Sequence, residues 1–189
     1  MNRVKYGLSE ATAWPITSTD ADGKPTYGEA IPIPGSVSLS LDAEGEETPF
    51  YADNVRYFIA VSNNGYSGSL EIALVPEEFK IKILGMVADT AGVVTEATDA
   101  KPSEFALAFR FDGDQSPTRH VLYRCSATRP AVSGSTVNET ITPSTDSFDF
   151  TASGRLDNHL VKAYADETSS AYAGWNTTPY EPTFTPEGE

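Results

Sequence analysis

The chain has 189 residues and a formal net charge of −14, because 27 acidic side chains outnumber 13 lysines and arginines. Hydrophobic residues make up 39% and charged residues 21%, which fits one folded domain, or at most two small ones, and argues against extensive disorder. The charge also disfavours a nucleic-acid reader, since that class of protein needs lysine and arginine to neutralise phosphates.

The chain carries no sign of a disulfide framework or a membrane segment. Its single cysteine, Cys125, cannot form an intramolecular disulfide, and its longest strongly apolar run, Tyr57 to Val61, has five residues. The N-terminal residues lack the apolar segment of a secretory signal. We therefore expect a protein that is made and folded in a cytoplasm and has no membrane partner.

Alternation of apolar and polar residues predicts a series of strands, each with one buried face. The clearest case is Ser36 to Leu41, where the odd positions are aliphatic and the even positions are serine. Similar alternation marks four further segments and two weaker ones, at 55–61, 69–75, 105–111, 121–125, 137–142 and 148–152. Turn-forming residues separate most of these runs, so the sequence predicts a mainly β fold.

One segment, residues 76–84, has an ambiguous pattern. Its apolar residues alternate with lysines, as in a strand, yet proline opens it, Glu77 and Glu78 follow, and Gly85 ends it, as in a helix. Glu78 and Lys82 also stand four residues apart with the acid first, a spacing that stabilises helices. We therefore predict one short helix here.

Three stretches of the single predicted domain, 1–189, have the composition of arms or loops outside the core. Residues 14–34 contain four prolines and belong to an N-terminal arm with the first strands, 1–34. Residues 42–53 contain three glutamates and no basic residue. Residues 163–189 contain five acids, three prolines and no lysine or arginine, and are predicted to form a C-terminal arm.

No cluster of residues indicates catalysis, a cofactor or a metal. His120 and His159 have no metal-ligand spacing, and His120 opens an apolar strand, which favours a structural or interface role. Cys125 lies on the apolar face of its strand, where a free cysteine behaves as a small hydrophobe. Asp112 and Asp114 lack the rest of a calcium loop. We therefore expect no enzyme, no cofactor, and no catalytic, cofactor-binding or metal-binding residues.

Aromatic residues, at 11% of the chain, leave a second function open. Trp14, Tyr172, Trp175 and Tyr180 are candidates for a sugar-binding platform, although scattered aromatics in β proteins more often fill cores and interfaces. The alternative function is therefore an acidic β-sandwich binding module, either a capsid decoration protein or a glycan-binding adhesin.

Several short motifs occur in an order that is typical of one family. In the N-terminal half they are Val4-Lys5-Tyr6-Gly7-Leu8, the strand 36–41, Phe50-Tyr51-Ala52-Asp53-Asn54, Gly65-Tyr66-Ser67-Gly68-Ser69-Leu70-Glu71-Ile72, Val75-Pro76-Glu77-Glu78-Phe79 and Leu84-Gly85-Met86. The C-terminal half fits more loosely, through 105–111, 123–125 and 148–152. In this order the chain resembles the major tail proteins of phages with long, non-contractile tails.

The resemblance implies a virion structural protein of the tail tube. Its expected fold is a two-sheet β-sandwich with one short flanking α-helix and extended arms, related to type VI secretion tubes. Such subunits self-assemble into stacked hexameric rings, whose inner sheets form a barrel that DNA crosses during ejection without being specifically bound. The implied partners are further copies of the chain and the initiator, tape-measure and terminator proteins of the tail. The implied location is the virion tail, assembled in the cytoplasm of a bacterial host.

Two sets of candidate residues follow from this resemblance. A lumen that passes DNA must offer it no cations, so the serine face of 36–41 and the polar face of 69–75 are candidates for the lining, although solubility alone also explains an acidic chain. The candidate lumen-facing residues are Ser36, Ser38, Ser40 and Glu71. The acidic loop 42–53 is the candidate contact between rings, pairing with a neighbour's Arg56, Lys80 or Arg119. Its candidate contact residues are Glu44, Glu46, Glu47, Phe50 and Tyr51.

Overall fold

The computed structural model describes residues 2–132, 134, 136 and 143–184, so the weak strand predicted at 137–142 lies outside the described residues. The strands are β1 Lys5–Thr19, β2 Pro25–Tyr27, β3 Ile31–Pro32, β4 Ser36–Glu44, β5 Glu47–Ala52, β6 Val55–Val61, β7 Gly65–Ile72, β8 Val87–Ala88, β9 Val94–Thr95, β10 Phe105–Gly113, β11 Thr118–Ala127, β12 Asp146–Ala152 and β13 Lys162–Asp166. The helices are α1 Glu77–Lys82 and a 3₁₀ turn, Tyr172–Gly174. In the described part of the chain, neither is long and apolar enough to cross a membrane.

The predicted mainly β fold with one short helix is confirmed. Nine strands form one antiparallel sheet whose main path is β2-β1-β10-β11-β12-β7-β4, with β3 paired to β1 and β13 paired to β11. Strands β1 and β4 contact each other although they are not hydrogen-bonded neighbours. This contact shows that the sheet curls over the core. Two two-stranded sheets, β5-β6 and β8-β9, stand apart from it.

The centre of the sheet is buried on both faces. On one face Phe105, Leu107 and Phe109 of β10 join the main core with residues of β7, β12 and α1. On the other face Ala106 and Ala108 of β10 belong to a smaller cluster. Side chains of a strand alternate between faces, so two clusters can share β10, and burial of both anchors the whole sheet.

Helix α1 packs onto the main core and confirms the helix predicted at 76–84. Phe79 is fully buried, and its ring centroid lies 5.5 Å from that of Phe105 and 4.9 Å from that of Phe148. Acids occupy the first turn and lysines the last, which matches the helix dipole. The phenyl ring of Phe79 thus joins strands β10 and β12 across the core.

The N-terminal region packs more deeply than its prolines led us to expect. Trp14 and Ile31 are buried rather than part of an extended arm. Strand β1 continues through Pro15, which lies where β1 passes from pairing with β10 to pairing with β2. There the Pro15 carbonyl accepts a hydrogen bond from the Gly28 amide at 2.8 Å, so the residue takes part in the sheet through its carbonyl alone.

The C-terminal segment, expected to be an arm, lies against its own subunit as far as Glu181. After β13, Trp175 is 2% exposed and stacks on Tyr180 with ring centroids 5.2 Å apart. Arg155, whose side chain is 1% exposed, donates from Nη1 to both carboxylate oxygens of Glu181 at 2.8 Å. Its Nε and Nη2 donate to Asp157 at 2.9 and 2.6 Å, so this guanidinium fastens the segment beside the smaller cluster.

Candidate assembly surfaces

The outer face of β4, β7 and β12 is polar. Cross-strand pairing places three rows on this face: Ser38, Glu71 and Ser147; Ser40, Ser69 and Asp149; and Asp42, Ser67 and Thr151. The alternate residues of β7 and β12 point into the core. The three strands contain no lysine or arginine and present four acids on this face, Asp42, Glu44, Glu71 and Asp149, whereas Asp146 lies opposite the buried Ile72 on the inner side. We call this surface the serine face.

Glu71 is a carboxylate of the serine face that is fixed by two hydrogen bonds. Ser38 donates from Oγ to Glu71 Oε2 at 2.8 Å, and Thr145 donates from Oγ1 to Oε1 at 2.7 Å. These hydrogen bonds, that of Thr145 first and then that of Ser38, hold the pKa of Glu71 below its ordinary value. The carboxylate is therefore ionised at neutral pH and gives the serine face a fixed negative charge.

Of the candidate lumen-facing residues, the structure brings Ser38, Ser40 and Glu71 together but not Ser36. A register shift between Ser36 and Ser38 places Ser36 opposite Ile72, whose side chain is fully buried. Directly opposed residues share a face, so Ser36 is turned to the inner side, away from Ser38. The cause is a β-bulge, which inserts one residue and breaks the alternation that the sequence displays.

The segment expected to be the acidic loop 42–53 is built mostly from strands. Its first residues complete β4, and most of the rest forms β5, which pairs with β6 as a hairpin outside the main sheet. Neither β5 nor β6 contains a buried residue. The segment therefore lies outside the core, as predicted, but it has a regular structure that its composition did not indicate.

The β5-β6 hairpin exposes a large apolar surface. Phe50 and Phe58 are paired on one face and are 60% and 61% exposed. Apolar residues at other positions of the two strands are exposed as well: Tyr51, Tyr57, Ile59 and Val61. Exposed aromatic surface of this extent is typical of protein interaction sites. The buried face predicted for the strand 55–61 is therefore wrong for the single subunit.

The acids of the candidate inter-ring contact lie at the base of this hairpin. Glu44 accepts from Ser67 Oγ at 2.6 Å, and Glu47 forms an ion pair with Arg56 of its own hairpin at 3.3 Å. Glu46 lies in the connection between β4 and β5 and is exposed. Arg56, one of the expected partners in a neighbour, is thus already paired within its own chain.

Arg119, a second expected partner for a neighbour's acids, is also occupied in its own subunit. Its Nη2 donates to Glu10 Oε2 at 2.8 Å, and its Nη1 donates to the carbonyl of Tyr172 at 2.7 Å. Arg110 donates to the second oxygen of Glu10 at 2.8 Å. Burial opposes ionisation of Glu10, but the hydrogen bonds and charges of these arginines leave its pKa below the ordinary value. Lys80, the third expected partner, forms no ion pair with the residues that the structure describes.

The histidines and the cysteine lie apart from one another. His120 stacks between Phe109 and Tyr164, with ring centroids 5.2 and 5.7 Å away, whereas His159 is exposed. Burial, followed by the charges of nearby lysines, lowers the pKa of His120 to about 4, so its ring is neutral. Cys125 is fully buried, and burial raises the pKa of its thiol. Within the described residues, no three His, Cys, Asp or Glu side chains form a metal-binding group.

The aromatic platform required by the alternative function is not formed by its candidate residues. Trp14 is fully buried, and Trp175 is 2% exposed. The Tyr180 ring is stacked on Trp175, and the guanidinium of Arg119 lies over the Tyr172 ring. The aromatic residues of β5 and β6 are exposed instead. A signal for them is present in the sequence, because 57–59 has three adjacent large apolar residues, which no strand with one buried face can bury together.

No family model matches the chain, and no curated protein matches it. Among the solved structures similar to it is a chain of the anti-feeding prophage (AFP) baseplate, from a cryo-EM structure with sixfold symmetrisation. The two chains are 11% identical with a TM-score of 0.45, and the match covers 87% of this chain and 96% of that chain.

Proposed function

We propose that this protein is a tail-tube subunit of a long, non-contractile phage tail, which self-assembles into stacked hexameric rings around a channel for DNA. The order of its sequence motifs supports this function. The structural observation that carries it is the serine face, a polar surface of three strands with four acids and no base. Such a surface gives a passing phosphate backbone no cation to bind.

The edge of the sheet supplies a means of closing the channel wall. Strand β4 ends the main path of the sheet, and within the described residues its outer backbone edge has no strand partner. An exposed edge pairs readily with another chain, and closure of a barrel removes such edges. In the proposed ring, β4 of each subunit joins the sheet of the next, so that the serine faces of all subunits line one lumen.

The hairpin supplies the proposed contact between rings. An isolated two-stranded hairpin is marginally stable in water, and this one carries exposed aromatic residues. Insertion between subunits of the adjacent ring buries these residues and stabilises the hairpin. The described part of the C-terminal segment has a lesser role in this proposal, because it is bound to its own subunit.

Electron microscopy of the concentrated protein tests the proposal. We expect rings and tubes of sixfold symmetry with an open lumen, and no mobility shift of double-stranded DNA mixed with them at low salt. A control with the hairpin shortened to a tight turn should form no tubes, because the proposed contact between stacked rings is then missing. Monodisperse wild-type monomers at all concentrations, even when an initiator complex is supplied, would contradict the proposal.

A further inference from the structure

The inner face of the sheet continues beyond the end of β12. Strand β12 ends at Ala152, which lies opposite Cys125 of β11. From Leu122 back to Thr118, β11 pairs with β13 instead. On this extension Tyr164 is 70% exposed. The surface contains six residues, Lys5, Tyr66, Phe111, His120, Tyr164 and Lys162, and we call it the lysine–aromatic patch.

The two lysines of the patch are held over aromatic rings. Lys5 Nζ lies 5.0 Å from the centroid of the Phe111 ring, and Lys162 Nζ lies 4.6 Å from that of Tyr66. The Phe111 ring beneath Lys5 lies 5.5 Å from the His120 ring. Lys162 pairs with Leu122, two residues from His120 on β11, so both lysines lie beside the same imidazole. Cation–π contacts at exposed sites are weak, so both ammonium groups remain available to a carboxylate.

These lysines differ from most basic residues of the chain. Seven basic side chains form ion pairs within the subunit, namely Arg56, Lys82, Arg110, Arg119, Arg124, Arg129 and Arg155. Lys5 and Lys162 have no such partner among the described residues. Copies of a chain with a net charge of −14 repel one another, so contacts between copies need the cations that are still free.

The hairpin of a second copy has the complementary chemistry. It combines exposed rings on β5 and β6 with Glu44, Glu46 and Glu47 at its base. In its own chain, the extensive contacts of the hairpin are those between its two strands. The apolar hairpin with its acidic base therefore matches an aromatic patch with two lysines; the hairpin is uncovered in the single subunit, and three rings of the patch, those of Tyr66, Phe111 and His120, are half-buried.

We propose that the lysine–aromatic patch is the docking site for the β5-β6 hairpin of a second copy, with Lys5 and Lys162 binding the acids at the base of that hairpin. This inference rests on the proposed function and replaces Arg56 and Arg119 as the partners of those acids. The rings of the docked hairpin cover Phe111, His120 and Tyr164, so the contact extends the apolar core of one copy into the next.

A charge-reversal variant, K5E/K162E, tests the docking site. The matched control is K24E/K101E, which changes the net charge equally at two lysines that also form no ion pair within the described part of the chain. We expect K5E/K162E to raise the protein concentration needed for tubes by about tenfold or more, since like charges at a contact are strongly repulsive. The control should assemble as the wild type does, and unfolding curves should show that both variants fold.

Two further measurements identify the occupant of the patch. Adding E46K/E47K to K5E/K162E should restore assembly, because the charges of the two surfaces are then exchanged and no lysine is introduced on the serine face. Carbodiimide cross-linking of a mixture of ¹⁴N- and ¹⁵N-labelled subunits should join Lys162 to Glu44, Glu46 or Glu47 of the other isotope. Cross-links from Lys162 that reach only other carboxylates, or that stay within one chain, would overturn the assignment.

The two proposals fail in different ways. Wild-type protein that never assembles would remove the tail-tube function and the docking site with it. If the wild type forms tubes and K5E/K162E forms them equally well, the tail-tube function stands and the docking site is refuted.

Discussion

Strand β10 and the β5-β6 hairpin are both rich in large apolar residues, yet they lie in opposite environments. The first five residues of β10 are buried on two faces, whereas every residue of β6 is exposed. In β10, neighbouring strands, a helix and the C-terminal segment of the same chain supply the cover. In the hairpin the same chain supplies no comparable cover among the described residues. The folding core and the proposed assembly surface of this subunit are therefore separate.

The largest effect is expected in the core. Phe79→Ala removes a fully buried ring that packs against Phe105 and Phe148, and we expect a loss of about 3–5 kcal/mol in the free energy of unfolding. Urea denaturation followed by circular dichroism measures it. A loss below about 1 kcal/mol would show that α1 is not part of the folding core.

The next largest loss of stability is expected from breaking a buried ion pair, and it can be compared with the loss from breaking an exposed one. Arg155→Ala should cost about 2 kcal/mol, because the side chain is 1% exposed and binds two carboxylates. Arg56→Ala in the hairpin is the matched control and should cost less than about 1 kcal/mol, because both partners of that pair are largely exposed. Equal losses in the two variants would remove the distinction between the regions.

A smaller effect depends on pH. His120 has an ordinary pKa of 6.5 that burial, followed by the charges of Lys162 and Lys5, lowers to about 4, so the unfolded chain takes up a proton at a higher pH than the folded chain. The stability contributed by neutral His120 is complete above pH 6.5 and is lost as the pH falls from 6.5 towards 4. The unfolding free energy of His120→Phe, which keeps the ring stacking, should therefore fall less over this range. Parallel curves for variant and wild type would be evidence against the pKa shift.

The smallest effect on the subunit is expected in the hairpin. Phe58→Ser should change the unfolding free energy by less than about 0.5 kcal/mol, because the ring is 61% exposed. The same variant should prevent tube formation in electron micrographs. A destabilised subunit would assign the hairpin to the fold, and normal tubes would show that Phe58 is not a contact.

The sequence predicted the elements whose local pattern and tertiary environment agree. Alternation located the strands that contain Leu39, Leu107 and Phe148, and the proline, acid and glycine signals located α1. In these elements one face packs against the same chain, so the residues that the apolar periodicity marks are the residues that are buried. Two of the three serines proposed for the lumen also fall on one face with Glu71, since the alternation holds from Ser38 onward.

The features that the sequence did not predict depend on which strands pair and on contacts between distant parts of the chain. The bulge at Ser36 arises from the register between β4 and β7, and no residue of β4 signals it. Trp14 is buried because the C-terminal segment folds back over its face of the sheet, a contact between distant parts of the chain. The strand 55–61 has the composition of a buried strand, but its cover is absent from the described subunit. An apolar composition indicates that a segment is buried, but it does not show whether the same chain or another copy covers it.

A cryo-electron microscopy map of the assembled particle is the decisive test of the tail-tube function. We predict that the β5-β6 hairpin is buried between subunits and that the side chains of Ser38, Ser40 and Glu71 face an open lumen free of lysine and arginine. A map in which the hairpin extends into solvent, or in which the serine face lies on the outside of the tube, would contradict this prediction.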